Sequence, residues 1–256
     1  MEFIDTHTHN YDEAYLPEEQ DGIITAALEA GVVTLIQPDV DSRERAAMFA
    51  LVDRHPEHLR AMLGLYPGSV DKNWREEIDE MLKWRDRPIV ALGEIGLDYH
   101  FSTEFMAEQR EAFRVQLELA AEMDLPVNIH LRDATEDFFR IMEDCRHLHL
   151  RGALHAYSGS YETFCRMDRY GEWYVGIGGV VTFRKASLAE VVRRIPLERI
   201  LLETDSPYLT PTPYRGTRNE SRYIPIIAQK VAELQGTTLE RVAEVTTANA
   251  RNLFNI

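Results

Sequence analysis

The sequence predicts an α/β fold: a single (β/α)8 TIM barrel with C-terminal closing helices. Three observations predict it. Short apolar runs rich in Val, Ile and Leu alternate with helical patterns along the chain, which indicates a parallel sheet covered on both faces. About eight such units fill about 210 residues, which suits a closed barrel better than an open sheet. The first run is followed by histidines and not by the glycine-rich fingerprint that an open doubly wound sheet would want. The 256 residues are read as one domain, 1–256, a normal size for one such barrel.

The first strand is placed at 2–5 (EFID) and the second at 32–37 (VVTLIQ), with a helix at 18–30 between them. A helix at 42–54 leads to the third strand at 59–65 (LRAMLGL), and one at 74–85 to the fourth at 88–93 (PIVALG). The helix at 104–123 shows its period clearly, because Phe105, Phe113, Leu117, Ala120 and Ala121 recur at helical spacing among Glu, Gln and Arg. The fifth strand at 126–131 (PVNIHL), the helix at 133–145 and the sixth strand near 150–155 follow. The seventh strand at 173–178 (WYVGIG), a helix at 186–194 and the eighth strand at 199–203 (RILLE) complete the barrel. Closing helices are placed at 221–235, 239–247 and 248–254.

Composition narrows the function. With 45% hydrophobic residues the chain can bury a large core, and no apolar run is long enough to span a bilayer, which takes about 18 residues. The start, MEFIDTH, lacks the basic and apolar regions of a signal peptide, so a cytoplasmic protein is expected. Cys145 and Cys165 are the only two cysteines and are expected to be free, mostly buried thiols in helical stretches. The net charge of −15 argues against a protein that coats duplexes, since nonspecific affinity comes from Lys and Arg neutralising phosphates. An enzyme that admits one strand end is still allowed, because bound cations reverse charge locally.

Chemistry concentrates where the apolar runs stop. The first ends in His7-Thr8-His9, the fourth in Gly93-Glu94, the fifth in His130, the sixth in His155 and the eighth in Asp205. C-terminal strand ends of such a barrel share one mouth, so residues far apart in the chain converge there. His7 and His9 are two apart on a strand and therefore face the same way. A carboxylate such as Glu94 has two oxygens and can bridge two cations. Imidazole with carboxylate suits Zn, Mn, Fe, Ni or Co, and Mg less well. The force lies in coincidence, since a lone His-x-His occurs often by chance. His55, His58, His147 and His149 fall in polar helix ends or loops, and His100 lies close to the mouth. Arg132, with Asp133 behind it, Arg184 and Lys185, and Arg215 and Arg218 follow strand ends and suit phosphate recognition. Ser158 is not flanked as a nucleophile elbow would be, which excludes a serine hydrolase.

These segments resemble the TatD family of metal-dependent deoxyribonucleases, in the amidohydrolase superfamily. The resemblance rests on FIDTHTH (3–9), ALGEIGLDYH (91–100), LPVNIHLRDA (125–134), LHAYSGS (154–160), GIGGVVTFRKA (176–186), LLETDSPYLTPTPYRGTRNES (201–221) and TTANARNLF (246–254). It covers essentially the whole chain. It implies a dinuclear site of His7, His9, Glu94, His130, His155 and Asp205, and 3′-to-5′ degradation of DNA, with single-stranded 3′ ends as the partner, no membrane, and no obligate protein partner evident. Tyr66 stands where the family usually has His; it can hydrogen-bond a phosphate oxygen but is no base near neutral pH. Asp205 is expected to ligate one cation and take the proton of the attacking water, while Glu94 bridges. Two divalent ions would lower the pKa of that water and hold a phosphoryl oxygen. Tyr66, Arg132, Lys185 and Arg218 are the expected substrate contacts. A small ester, lactone or amide, or an aminoacyl-tRNA ester, is the alternative substrate.

Overall fold

The computed structural model describes all 256 residues. Eight parallel strands pair in chain order: β1 Phe3–Asp5, β2 Val32–Gln37, β3 Leu59–Leu63, β4 Ile89–Asp98, β5 Val127–Arg132, β6 Gly152–Leu154, β7 Trp173–Ile177 and β8 Ile200–Leu202. Helices α1 Pro17–Glu29, α2 Arg45–Arg54, α3 Trp74–Leu82, α4 Met106–Glu122, α5 Thr135–Asp144, α6 Tyr161–Met167 and α7 Leu188–Val192 return the chain between strands, and α8 Ile224–Gln235 and α9 Leu239–Phe254 follow. This is a (β/α)8 barrel.

Local chemistry sets the helix ends. Pro17 sits at the first position of α1, where its missing N–H costs nothing, and the Glu19 carboxylate accepts from the Leu16 N–H at 3.1 Å. Ser160 and Thr238 cap α6 and α9 by accepting from the third residue onward, Thr163 and Arg241.

Two layers of core hold the barrel. Strand residues facing outward meet the helices, while Ile4, Ile36, Met62, Ala91, Ala153, Tyr174 and Leu201 fill the inside. The end of α9, through Ala250, Leu253 and Phe254, packs onto that inner group. Leaving α9 whole is what allows this. The sequence expectation split it at 247, but it is one helix, because its weak formers are satisfied where they stand. Thr246 donates to the Val242 carbonyl at 2.8 Å, and buried Asn249 donates to the Leu197 and Ile200 carbonyls at 3.0 and 2.8 Å.

The seam between β1 and β8 is made just beyond the two strands. Thr6 N–H donates to the Leu202 carbonyl at 3.0 Å, Asp205 N–H to that of His7 at 2.9 Å, and His9 N–H to that of Ser206 at 2.8 Å. Buried Asp5 accepts from the Thr204 N–H at 3.0 Å and its hydroxyl at 2.6 Å. Closing the barrel and bringing His7 and His9 to Asp205 are therefore done by the same hydrogen bonds.

Candidate metal centre

The mouth at the C-terminal strand ends holds His7, His9, Glu94, His130, His155 and Asp205 within one cluster. Glu94 lies at its centre. One carboxylate oxygen, Oε1, is 2.8 Å from His130 Nδ1 and 2.8 Å from His155 Nε2. The other, Oε2, is 3.4 Å from His7 Nε2 and 3.8 Å from His9 Nε2. Asp205 Oδ1 closes the second group, 3.7 and 3.6 Å from the same two nitrogens.

Glu94 reaches this position because β4 does not stop at Gly93, as the sequence suggested, but runs on to Asp98. A register shift against β5 between Leu92 and Ile95 interrupts the pairing there, the kind of irregularity that re-aims a side chain. Glycine is required beside it. A Cβ on Gly93 would stand 2.7 Å from that of Asn128, and one on Gly64 would stand 2.9 Å from the Gly93 carbonyl carbon.

The outward nitrogens of the imidazoles decide what the inward ones offer. His7 Nδ1 meets Asn128 Oδ1 at 2.8 Å, and His130 Nε2 meets Asp98 Oδ2 at 2.9 Å. His9 Nδ1 meets the Tyr11 hydroxyl at 3.1 Å, and that hydroxyl donates its own proton to the Pro38 carbonyl. Each partner is an acceptor, so the outward nitrogen carries the proton and the inward one presents a lone pair. His155 Nδ1 faces Glu203 Oε1 at 3.7 Å. Lone pairs then face carboxylate oxygens across 2.8–3.8 Å, which is favourable only with positive charge between them. The donor set fits divalent cations.

The titration directions agree. Burial alone would raise Glu94, but His155, His130 and His7 outweigh it and hold the carboxyl well below its ordinary value. Burial would likewise raise Asp205, and His9, His155 and His7 hold it down. Burial lowers His9 and His130, but the carboxylates beside them prevail and raise both; His7 is the exception, lowered by its full burial and by His155. The cluster stabilises ionised carboxylates and draws positive charge.

A cavity of about 590 Å³ opens above it, lined by five of the six cluster residues (His7 lies beneath) and also by Tyr66 and Arg132. Tyr66 stands edge-on to His130, with ring centroids 5.2 Å apart. Burial, with Glu94, Asp98 and Asp205 nearby, raises its phenol above the ordinary value, so it is a donor. Lys185 and Arg218 are not brought to this wall. Lys185 is exposed on the loop before α7. Arg218 is held elsewhere, donating to the Ala14 carbonyl at 2.8 Å and the Glu19 carboxylate at 2.9 Å, over the ring of Tyr15. His100 pairs with Asp133 at 2.8 Å and touches the cluster only through Asp98, whose Oδ1 accepts from its N–H. Cys165 is exposed, contrary to expectation, while Cys145 is buried; both are free.

Sequence reasoning missed the supporting residues. Tyr11, Asn128 and Glu203 each sit two positions from a cluster residue, but only Asn128 shares a strand with its neighbour, His130, so the spacing was a signal for that residue alone. It also missed a fully buried ion pair, Asp39–Arg45, in which Arg45 Nε donates to Asp39 Oδ2 at 2.6 Å. The same oxygen accepts from the Gly64 N–H at 3.1 Å. The Asp39 backbone brackets Glu94, donating to the Gly93 carbonyl at 3.0 Å and accepting from the Glu94 N–H at 3.1 Å. Arg45→Met is expected to cost about 3–5 kcal/mol, because it strands a buried carboxylate. Urea unfolding of the chelated protein reads this directly, and a loss below about 1 kcal/mol, the level of a surface pair, would count against it.

The similarities of the chain point the same way. Residues 4–255 match the family described as TatD related DNase. A relative from Bacillus subtilis, the uncharacterised metal-dependent hydrolase YabD, is 36% identical over 98% of each chain. The 3′-5′ ssDNA/RNA exonuclease TatD of Escherichia fergusonii is 34% identical over 96% of this chain and 97% of its own. The crystal structure of a TatD homologue from Escherichia coli superposes with a TM-score of 0.91 at 28% identity, covering 99% of this chain and 98% of that one. No helix is long and apolar enough to cross a membrane. The chain belongs to the TatD family of metal-dependent hydrolases.

Proposed function

We propose that this enzyme removes nucleotides from the 3′ end of single-stranded DNA, with two divalent cations held between His7, His9, Glu94 and Asp205 on one side and Glu94, His130 and His155 on the other. The observation that carries this reading is the division of Glu94, whose two oxygens each face a separate pair of imidazoles. Cations bound there would lower the pKa of a nearby water and draw charge from a phosphoryl oxygen.

The protein's own groups do the rest. Asp205 keeps one oxygen against His7 and His9, and its other oxygen accepts the proton of the water that attacks phosphorus, while the bond from phosphorus to O3′ of the preceding nucleotide breaks and that oxygen leaves with a proton from solvent. Tyr66, a donor throughout the working pH range, and Arg132 hold the non-bridging phosphate oxygens. The cavity has the size of a small-ligand site, which suits a strand end and not an internal stretch of duplex. The exonuclease from Escherichia fergusonii, acting on single-stranded DNA and RNA by its name, supports the substrate class.

A panel of single strands labelled at the 3′ or the 5′ end, with a blunt duplex, an RNA strand, an aminoacyl-tRNA and small esters beside them, tests this. The 3′-labelled strand should release mononucleotide first and the duplex should lag. Internal cuts appearing first would contradict the direction, and turnover of esters alone would contradict the substrate.

A further inference from the structure

The cavity wall is a poor electrostatic match for a nucleic acid strand. Arg132 is its single Lys or Arg, and Asp12, Glu44, Glu94 and Asp205 line it too. Strand binding that relies on phosphate neutralisation needs several cations. Cations held at the cluster would offset Glu94 and Asp205 and grip the scissile phosphate alone, so holding the flanking nucleotides falls to the rest of the wall, which carries an unusual feature. Phe101 is 77% exposed and Tyr208 is 55% exposed, and both line the cavity. Burying a side chain of this size is worth about 1.5–3 kcal/mol, which both rings forgo.

Both rings are held in place. The Arg132 guanidinium lies over Phe101, 4.9 Å from its centroid, and the His100 ring meets it edge-on at 5.1 Å. The Tyr208 hydroxyl donates to Asp12 Oδ2 at 2.9 Å, which fixes the ring, and His9 lies edge-on to it at 6.4 Å. Phe101 follows β4 and Tyr208 follows β8. Three strands of the eight-stranded barrel lie between β4 and β8 in either direction, so the two rings stand on opposite sides of the mouth.

Resting on the phosphodiester reading above, we propose that Phe101 and Tyr208 are stacking platforms for the two nucleobases that flank the scissile phosphate. Every base offers a π face, so such platforms are tolerant of sequence. Bases paired within a duplex cannot reach them, which makes the rings the source of the preference for single strands.

The test places one abasic tetrahydrofuran residue at the 3′-terminal or the penultimate position of a single strand. The kcat/KM of each is compared with the fully base-bearing strand for the metal-loaded enzyme. The wild type should favour the intact strand by roughly 5- to 150-fold at each position, the worth of one stacked base. Phe101→Ala should bring that ratio close to one at one position, and Tyr208→Ala at the other. Phe101→Trp keeps a ring and should keep the ratio, while Tyr208→Phe keeps a ring without its bond to Asp12 and should retain more of the ratio than Tyr208→Ala. A 2-aminopurine at the same positions should be quenched on rapid mixing with the wild type and not with the matching alanine variant. Cleavage of all strands at one rate by the wild type, or equal losses on intact and abasic strands in the variants, would overturn the platforms while leaving phosphodiester hydrolysis standing. Hydrolysis of none of the strands would overturn both.

Discussion

Asp205→Asn is expected to keep its metal and lose roughly 10²–10⁴ in kcat, the usual size of a general-base contribution. The substitution is chosen for three physical reasons. Asp205 has φ of 54°, a left-handed conformation that Asn tolerates as well as Asp. Asn keeps the shape and one oxygen, which can stay against His7 and His9 where Oδ1 now lies at 3.7 and 3.6 Å. It removes the basicity together with one negative charge, in a group that the surrounding imidazoles hold ionised, so metal content is read beside the rate. A merely structural Asp205 would show the opposite pattern, with stability falling by about 1 kcal/mol and kcat hardly moving. Metal content, melting temperature and single-turnover rate on one preparation separate the two outcomes. A folded, metallated variant with near-normal chemistry would remove Asp205 from the mechanism.

Glu94→Ala should have the larger effect on the metals themselves. Removing a group that only supports a ligand typically costs 10- to 100-fold in metal affinity, so removing one that touches both halves of the cluster should exceed that for at least one ion. The loss has a structural side. With the carboxylate gone, the inward nitrogens of His130 and His155 face each other at 3.1 Å with no cluster carboxylate beside them, while those of His7 and His9, 3.2 Å apart, keep only Asp205. Glu94→Gln, which preserves volume and one oxygen acceptor, separates loss of charge from loss of packing and should lie between Ala and the native residue.

Much of the architecture was legible because the strands are buried on both faces and therefore read as continuous apolar runs. The end of β4 was not, since Glu94 and Gly96 interrupt the apolar pattern that marks a strand, while the backbone pairs onward through Asp98 with β5. The six cluster residues were legible by position, each standing at or just past an apolar run. Their supports were not, because they act across strands. Asn128 belongs to the strand of His130 but holds His7, and Glu203 precedes Asp205 but faces His155. Arg218 looked available for phosphate because a loop sequence does not show that Glu19, 199 positions away, already holds it. The exposure of Phe101 and Tyr208 was equally invisible, since in sequence an aromatic reads the same whether it packs or projects.

In the proposed mechanism Glu94 joins two divalent ions in one site. Metal analysis of the native protein and of Glu94→Ala, after loading and gel filtration under one set of conditions, tests it most directly. Two ions per native chain and no more than one tightly held ion in the variant are the predicted result. Two ions retained by both proteins, or a single ion sufficient for full activity of the native enzyme, would contradict it.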